Sequence, residues 1–161
     1  MIQVYLVLAE RIRSEVTDLD KLVSRAERAV VASHQHTDDQ DLYFDSAALS
    51  LHDLYSGLER IFRQIAATVD NDVPSNQEWH RDLLRLMKDE IPGVRPAVLS
   101  SDSVSALDEY LWFRHVVRNI YAFSLIPDQI ERLVNQFKGV FSQTRNELLS
   151  FADFLEQVGK D

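Results

Sequence analysis

Residues 44–65 read FDSAALSLHDLYSGLERIFRQI, and the spacing of their apolar residues decides the fold class. The apolar residues recur every three or four positions; they are Phe44, Ala47, Ala48, Leu51, Leu54, Tyr55, Leu58, Ile61, Phe62 and Ile65. This spacing places them along one face of an α-helix. His52, Asp53 and Glu59 are interpreted as part of its polar side. The pattern predicts a long amphipathic helix that ends near Val69.

Four more helices are predicted outward from this stretch, by the same periodicity and by the proline and glycine residues that separate them. Their approximate ranges are 2–33, 76–90, 101–123 and 127 onward. Thr37 or Asp38 is expected to cap the helix over 44–65, and Ser101 or Asp102 the helix that follows the third. No segment alternates with period two, so strands are not expected.

Short connections between long helices favour antiparallel neighbours. The chain is therefore predicted to be an all-α, up-and-down antiparallel bundle of four long helices and one shorter helix, forming a single domain over residues 1–161. Gly57 and Gly139 fall inside helices, where glycine costs about 1 kcal/mol relative to alanine. We expect close packing against a neighbouring helix at both positions.

The composition limits the classes of function. The 161 residues carry a net charge of −9 and no cysteine, which excludes disulfides, thiolate metal sites and cysteine nucleophiles. The N-terminus lacks the basic residues of a signal peptide and charge soon follows its apolar run, so a cytoplasmic protein without a membrane segment is expected. The negative charge argues against DNA as a partner, and RNA would need a local cluster of arginines. No phosphate-binding glycine loop or H-E-x-x-H motif occurs, and no cofactor or metal is predicted.

Residues 110–123, which read YLWFRHVVRNIYAF, carry the residues suited to chemistry. On a helical wheel Arg114, Arg118 and Tyr121 share one face, with His115 beside them. That face adjoins a predicted core stripe of Ala106, Tyr110, Phe113, Val117 and Ile120. Guanidinium groups suit bidentate contact with phosphate, and histidine exchanges a proton near neutral pH. Together they could cleave RNA without a metal: the histidine would move the 2′-hydroxyl proton, and the arginines would stabilise charge on the phosphate.

The same residues also allow a purely structural interpretation. Arg114 and Arg118 can instead pair with acids of a neighbouring helix, in a bundle that has no active site. His80, which follows Trp79 near the start of the third helix, is either a second catalytic histidine or a half-exposed residue without a chemical role. Each interpretation predicts contacts that a structure tests directly.

Three segments together resemble a known family. They are residues 79–84 (WHRDLL), 113–121 (FRHVVRNIY) and 127–130 (PDQI), and in an all-α chain of this length they resemble HEPN domains of the HepT-like toxin group. The resemblance implies a homodimer whose cleft holds a ribonuclease site built from an arginine, the polar residue after it and a histidine. It also implies an antitoxin of the minimal nucleotidyltransferase type, which can silence the toxin by adding AMP to a tyrosine near the motif.

Carried over to this chain, the motif arginine is Arg118 and the polar residue is Asn119. The family places its histidine a short distance further on, where this chain has residues 123–125 (FSL). Either His115, one turn earlier, replaces that histidine, or the arginine face is non-catalytic and binds a partner protein or a nucleotide. The leading prediction is a metal-independent endoribonuclease toxin with Arg118, His115, Asn119, Arg114 and Tyr121 in its site. Tyr121 is also the nearby candidate for modification.

Overall fold

A computed structural model describes residues 2–161, apart from the side chains of Ile2 and Ala122. The described residues form five α-helices, which are α1 (Ile2–Gln35), α2 (Gln40–Ile65), α3 (Trp79–Leu86), α4 (Ser101–Asn119) and α5 (Pro127–Lys160). No strand occurs among them and the helices pack against one another, which confirms the predicted all-α bundle. None of the described helices combines the length and the apolar character needed to cross a membrane.

The core forms where α1 packs along α2 and α5, while α4 packs against α2 and α5. Every apolar residue that decided the fold class in the stretch 44–65 is buried. Full burial of one large apolar side chain contributes about 1.5–3 kcal/mol, so this one face supplies a large part of the driving force for folding. The short helix α3 packs against α2 and α4, and it thereby brings residues near its start towards both.

The fourth helix is shorter than the sequence predicts. α4 ends at Asn119, because Ile120 has an extended backbone with φ −131° and ψ 162°. The predicted end at Phe123 is therefore wrong, and Ala122–Ser124 form a separate 3₁₀ turn. Tyr110 and Phe113 are buried as predicted, whereas Ile120 lies beyond the helix and is exposed.

Several helix boundaries also differ from the prediction. α3 covers Trp79–Leu86 rather than residues 76–90. Ser100, not Ser101 or Asp102, caps α4, since its side chain accepts a hydrogen bond from the backbone N–H of Ser103 at 3.1 Å. Residues Thr37–Asp39 form a 3₁₀ turn, and no side chain caps α2. At its other end α2 continues into a π-helical turn over Ala66–Asp70, so the helix reaches Val69 as predicted.

A buried arginine ties the chain around α3 to the end of α2. The guanidinium of Arg95 contacts both carboxylate oxygens of Asp70, at 2.6 and 2.9 Å. It also donates to the backbone carbonyls of Leu86, Asp89 and Pro96. Because these acceptors satisfy its donors, the charge of Arg95 is accommodated away from water. These contacts hold the chain that follows α3 against the C-terminal end of α2.

The two helical glycines differ in their surroundings. A Cβ atom at Gly57 would lie 2.5 Å from Cδ2 of Leu19 in α1, whereas a Cβ atom at Gly139 would meet nothing within 4 Å. The prediction of close packing is therefore confirmed for Gly57 and wrong for Gly139.

Alanine substitutions at these glycines are expected to have opposite effects. Gly57→Ala should lower the free energy of unfolding by about 1–3 kcal/mol, because the buried Leu19 side chain would have to move. Gly139→Ala should raise it by up to about 1 kcal/mol through helix propensity alone. Thermal unfolding of both variants beside the unsubstituted chain measures the two shifts. Shifts of the same sign would contradict this account of the packing.

Candidate active site

An open groove runs between the start of α3 and the exposed side of α4. Its volume is about 760 Å³, within the range of small-molecule sites. Residues 77, 78, 80 and 81 form one wall, and residues of α4 between 105 and 119 form the other. Four residues predicted to act together line this groove, namely Arg114, His115, Arg118 and Asn119. His80 faces them from the opposite wall.

The last turn of α4 holds His115 and Asn119 in contact. The amide nitrogen of Asn119 donates to the backbone carbonyl of His115 at 2.6 Å, and it lies 3.3 Å from Nδ1 of the same residue. These contacts follow from the i,i+4 spacing of the two residues on the helix. The second contact places the Asn119 amide beside Nδ1, while Nε2 makes no hydrogen bond within the described residues.

Arg118 is the arginine of the groove that can take an anion from solution. Its side chain is exposed and makes no ion pair within residues 2–161. Arg81, by contrast, lies 3.6 Å from Glu78, and Arg114 is paired with Glu59. Arg118 therefore places one positive charge on a groove wall that also carries the carboxylates of Glu78, Asp108 and Glu109.

Arg114 is buried, with only 6% of its surface exposed. Its Nη1 donates to Oε1 of Glu59 in α2 at 2.7 Å, and its guanidinium lies 5.7 Å from the centre of the Tyr55 ring. The interpretation that the arginines pair with a neighbouring helix is thus right for Arg114 and wrong for Arg118. With its charge engaged by a carboxylate, Arg114 can position other groups but is poorly placed to bind a phosphate.

The Tyr55 hydroxyl beneath Arg114 is buried and has no hydrogen-bond partner in the described part of the chain. Burial, with a smaller contribution from the Glu59 carboxylate, raises the pKa of Tyr55 above its ordinary range. The ring therefore stays neutral and provides an aromatic face for the guanidinium.

Glu59 was predicted to lie on the polar side of α2, and that prediction is wrong. The residue is 7% exposed, and its two carboxylate oxygens contact different partners. Oε1 accepts from Arg114, and Oε2 lies 2.7 Å from Nδ1 of His80. The sequence carried a signal: Glu59 is four residues from Tyr55 and three from Phe62, both buried, so it shares their helical face.

His80 completes this cluster from the start of α3. Its Nδ1 lies 2.7 Å from Glu59 and 3.0 Å from Nη2 of Arg114, and its ring stacks on Trp79 at 3.6 Å between centroids. One Nδ1 atom cannot both donate to a carboxylate and accept from a guanidinium. The contact with Glu59 is shorter, which indicates a proton on Nδ1. His80 is half-buried, as one alternative predicted, but it also has specific partners.

Tyr121 does not join the groove. Because α4 ends at Asn119, Tyr121 does not continue the helical face of Arg114 and Arg118, so its predicted place beside them is wrong. Its side chain is 75% exposed and stacks on Phe123, with 5.3 Å between ring centroids. The tyrosine hydroxyl is accordingly open to solvent near the end of α4.

A comparison with models of protein families identifies the family of this chain. The family model described as "HepT-like protein" matches residues 46–155, which is more than half of the chain and includes the whole groove. No curated protein and no solved structure gives a significant match.

Proposed function

Because the chain belongs to the HepT-like protein family, we propose that it is a HEPN-type endoribonuclease toxin that cuts RNA in the groove beside α4. The observation that carries this proposal is that Arg118, which makes no ion pair with the residues the structure describes, meets His115 and Asn119 in one open groove. An anion-binding group and a proton-transfer group side by side are the minimum that metal-independent cleavage of RNA requires.

In the proposed reaction the guanidinium of Arg118 binds the scissile phosphate. Charge grows on the phosphate oxygens as the ribose 2′-oxygen attacks, and a fixed cation close to them lowers the energy of that state. The fork of arginine donors can contact two oxygens at once. His115 exchanges a proton with the reacting oxygens, and the amide of Asn119 lies beside its Nδ1 at 3.3 Å.

The proposal assigns Arg114 a positioning role. Its guanidinium pairs with Glu59 at 2.7 Å and lies over the Tyr55 ring. Arg114 therefore stabilises the buried side of the groove and is not proposed to contact RNA. Tyr121 is likewise placed outside the catalytic set, since it does not line the groove.

The partners that the family suggests are part of the same proposal. A nucleotidyltransferase antitoxin would neutralise the toxin by transferring AMP to a tyrosine. We assign the Tyr121 hydroxyl as the group that accepts the AMP, because a transferase can reach a residue that is 75% exposed. A homodimer would place the grooves of two copies at one cleft. Trp112, which is exposed and lines the groove, suits contact with a second chain.

One observation favours a second function. The resemblance to HepT-like toxins implies a histidine at residues 123–125, which read FSL, so the same groove could serve as a binding site without catalysis. A pure binding site has no use for a proton-transfer group. Substitution of His115 therefore distinguishes the two functions.

His115→Ala is expected to abolish the growth arrest and RNA fragmentation that induced expression of the unsubstituted chain causes. The matched control is His36→Ala, which removes an exposed histidine outside the groove and should leave both effects intact. The two proteins must be compared at equal abundance by immunoblot. Arrest with intact RNA, or full fragmentation by His115→Ala, would contradict a ribonuclease that uses His115.

A further inference from the structure

The geometry points to His80 as a second proton-transfer residue, which takes the 2′-hydroxyl proton at Nε2 while Glu59 and Arg114 position it. The inference rests on the proposed ribonuclease function and adds to it a residue from another helix. It divides two proton transfers between two histidines on facing walls of the groove, with His115 supplying a proton to the leaving 5′-oxygen.

The contact with Glu59 fixes which ring nitrogen of His80 is available. A proton on Nδ1 is donated to Oε2 of Glu59 over 2.7 Å, which leaves the lone pair of the neutral ring on Nε2. Nε2 makes no hydrogen bond within the described residues, although His80 lines the groove. A carboxylate behind a histidine also stabilises the imidazolium that forms when the ring accepts a proton. This is the arrangement of a general base.

Neighbouring side chains restrain both Glu59 and His80. Nη1 of Arg114 holds Oε1 of Glu59 at 2.7 Å, so the carboxylate is fixed at one oxygen while the other faces His80. Trp79 stacks on the imidazole at 3.6 Å, and the guanidinium of Arg63 lies 5.1 Å above Trp79. Rotation of the ring would break the contact with Glu59 and disturb this stack. The geometry is therefore fixed before a substrate arrives, which reduces the cost of orienting the base.

Charged groups of both signs face His80. From α2 these are Glu59 and, across the Trp79 ring, Arg63. From α4 they are Arg114, which is in contact, and four further residues of the groove wall, namely Asp108, Glu109, His115 and Arg118. His80's own segment adds Glu78 and Arg81, which pair with each other at 3.6 Å. Glu59 is the carboxylate in direct contact with His80, and Arg114 is the cation in direct contact.

Cleavage of the RNA strand forms one phosphorus–oxygen bond and breaks another. The 2′-oxygen forms a bond to phosphorus as its proton passes to Nε2 of His80. The bond between phosphorus and the 5′-oxygen breaks, and that oxygen receives a proton from the imidazolium form of His115. The products are a 2′,3′-cyclic phosphate and a free 5′-hydroxyl, and no oxidant, metal or co-reactant is consumed.

His80→Asn separates a catalytic role from a structural one. The asparagine amide keeps an N–H group where Nδ1 stood and can still donate to Glu59, but it has no equivalent of Nε2. A merely structural His80 would tolerate this change. As a base, His80 is expected to lose cleavage by roughly 10²–10⁴-fold, with unfolding close to that of the unsubstituted protein. His52→Asn is the matched control, since His52 is also part-buried and also contacts a carboxylate, that of Asp53 at 3.3 Å.

A second substrate distinguishes the base from the acid. The probe is an oligoribonucleotide spanning a cut mapped in total RNA, made with the scissile 5′-oxygen or with sulfur in its place, because a thiolate leaves without being protonated. His80→Asn should impair cleavage of both probes. His115→Ala should impair cleavage of the oxygen probe. The same variant should cut the sulfur probe at a rate within about tenfold of that of the unsubstituted protein, because the sulfur leaving group needs no proton from His115.

The cleavage rates of these variants test the assignment of His80 separately from the proposed function. Full activity of His80→Asn, or recovery of His80→ Asn on the sulfur probe, overturns the assignment of His80 as the base. Loss of RNA cleavage by Arg118→Ala with no effect of His80→Asn overturns this inference and leaves the proposed function standing. No cleavage by the unsubstituted protein contradicts the proposed function itself. If His80→Asn does not fold, His80→Ala with added imidazole replaces it: restored cleavage supports the base, and no restoration contradicts it.

Discussion

Glu59→Ala is expected to lower the free energy of unfolding by about 3–5 kcal/mol, because it leaves the buried Arg114 without its counter-charge. Arg114 is 6% exposed and cannot turn its guanidinium fully into water. The substitution also removes the acceptor of His80 Nδ1 at 2.7 Å. For a chain of 161 residues the loss corresponds to a fall of about 10 °C in the unfolding temperature. Chemical and thermal unfolding by circular dichroism measure it.

An ion pair between α1 and α2 offers a matched control for this prediction. Glu15 pairs with Arg60 of α2 at 3.0 Å, but the Arg60 side chain is exposed and that of Glu15 is only partly buried. Glu15→Ala should therefore cost less than about 1 kcal/mol. Glu59→Gln should fall between the two variants, because an amide oxygen still accepts from Arg114 without supplying a charge. Equal small losses for Glu15→Ala and Glu59→Ala would contradict the view that the Glu59–Arg114 pair supports the groove.

Arg118→Ala is expected to reduce the rate of RNA cleavage by purified protein by about 10²–10³-fold, because it removes the cation proposed to face the scissile phosphate. Stability should change by less than about 0.5 kcal/mol, since the side chain is exposed and makes no ion pair within the described residues. Arg118→Lys should recover part of the rate, because lysine keeps the charge but lacks the two-pronged donor geometry. Single-turnover cleavage of a labelled oligoribonucleotide measures these rates.

Arg25→Ala is the control for the loss of one positive charge. Arg25 is exposed on α1, a helix that contributes no residue to the groove. The variant should cut RNA at the unsubstituted rate. If Arg25→Ala and Arg118→Ala lose activity equally, general electrostatic attraction explains the effect, and the assigned role of Arg118 is wrong.

The fold followed from sequence because one physical signal dominates it. The apolar periodicity of residues 44–65 specifies a helix with a single buried face, and every residue of that face is buried. The end of α4 was harder to predict from the sequence. No glycine or proline occurs between Asn119 and Pro127, and the apolar residues there continue the helical spacing. The extended backbone at Ile120 overrides that spacing, and this one difference removes Tyr121 from the predicted site.

The candidate site could be predicted only where its residues share a helix. His115, Arg118 and Asn119 lie within two turns of α4, so their proximity is a property of the helix itself. The contacts of Arg114 with Glu59, 55 residues away, and with His80, 34 residues away, depend on how α2, α3 and α4 pack. No local pattern encodes that packing, so the buried cluster appears only in the three-dimensional structure.

The most direct test of the central claim is incubation of the purified protein with labelled RNA in the presence of EDTA, with analysis of the fragment ends. A metal-independent ribonuclease acting through the α4 groove should produce fragments that end in 2′,3′-cyclic phosphate, and His115→Ala purified in parallel should produce none. Intact RNA with the unsubstituted protein, cleavage only when a divalent metal is added, or equal cleavage by His115→Ala would contradict the claim.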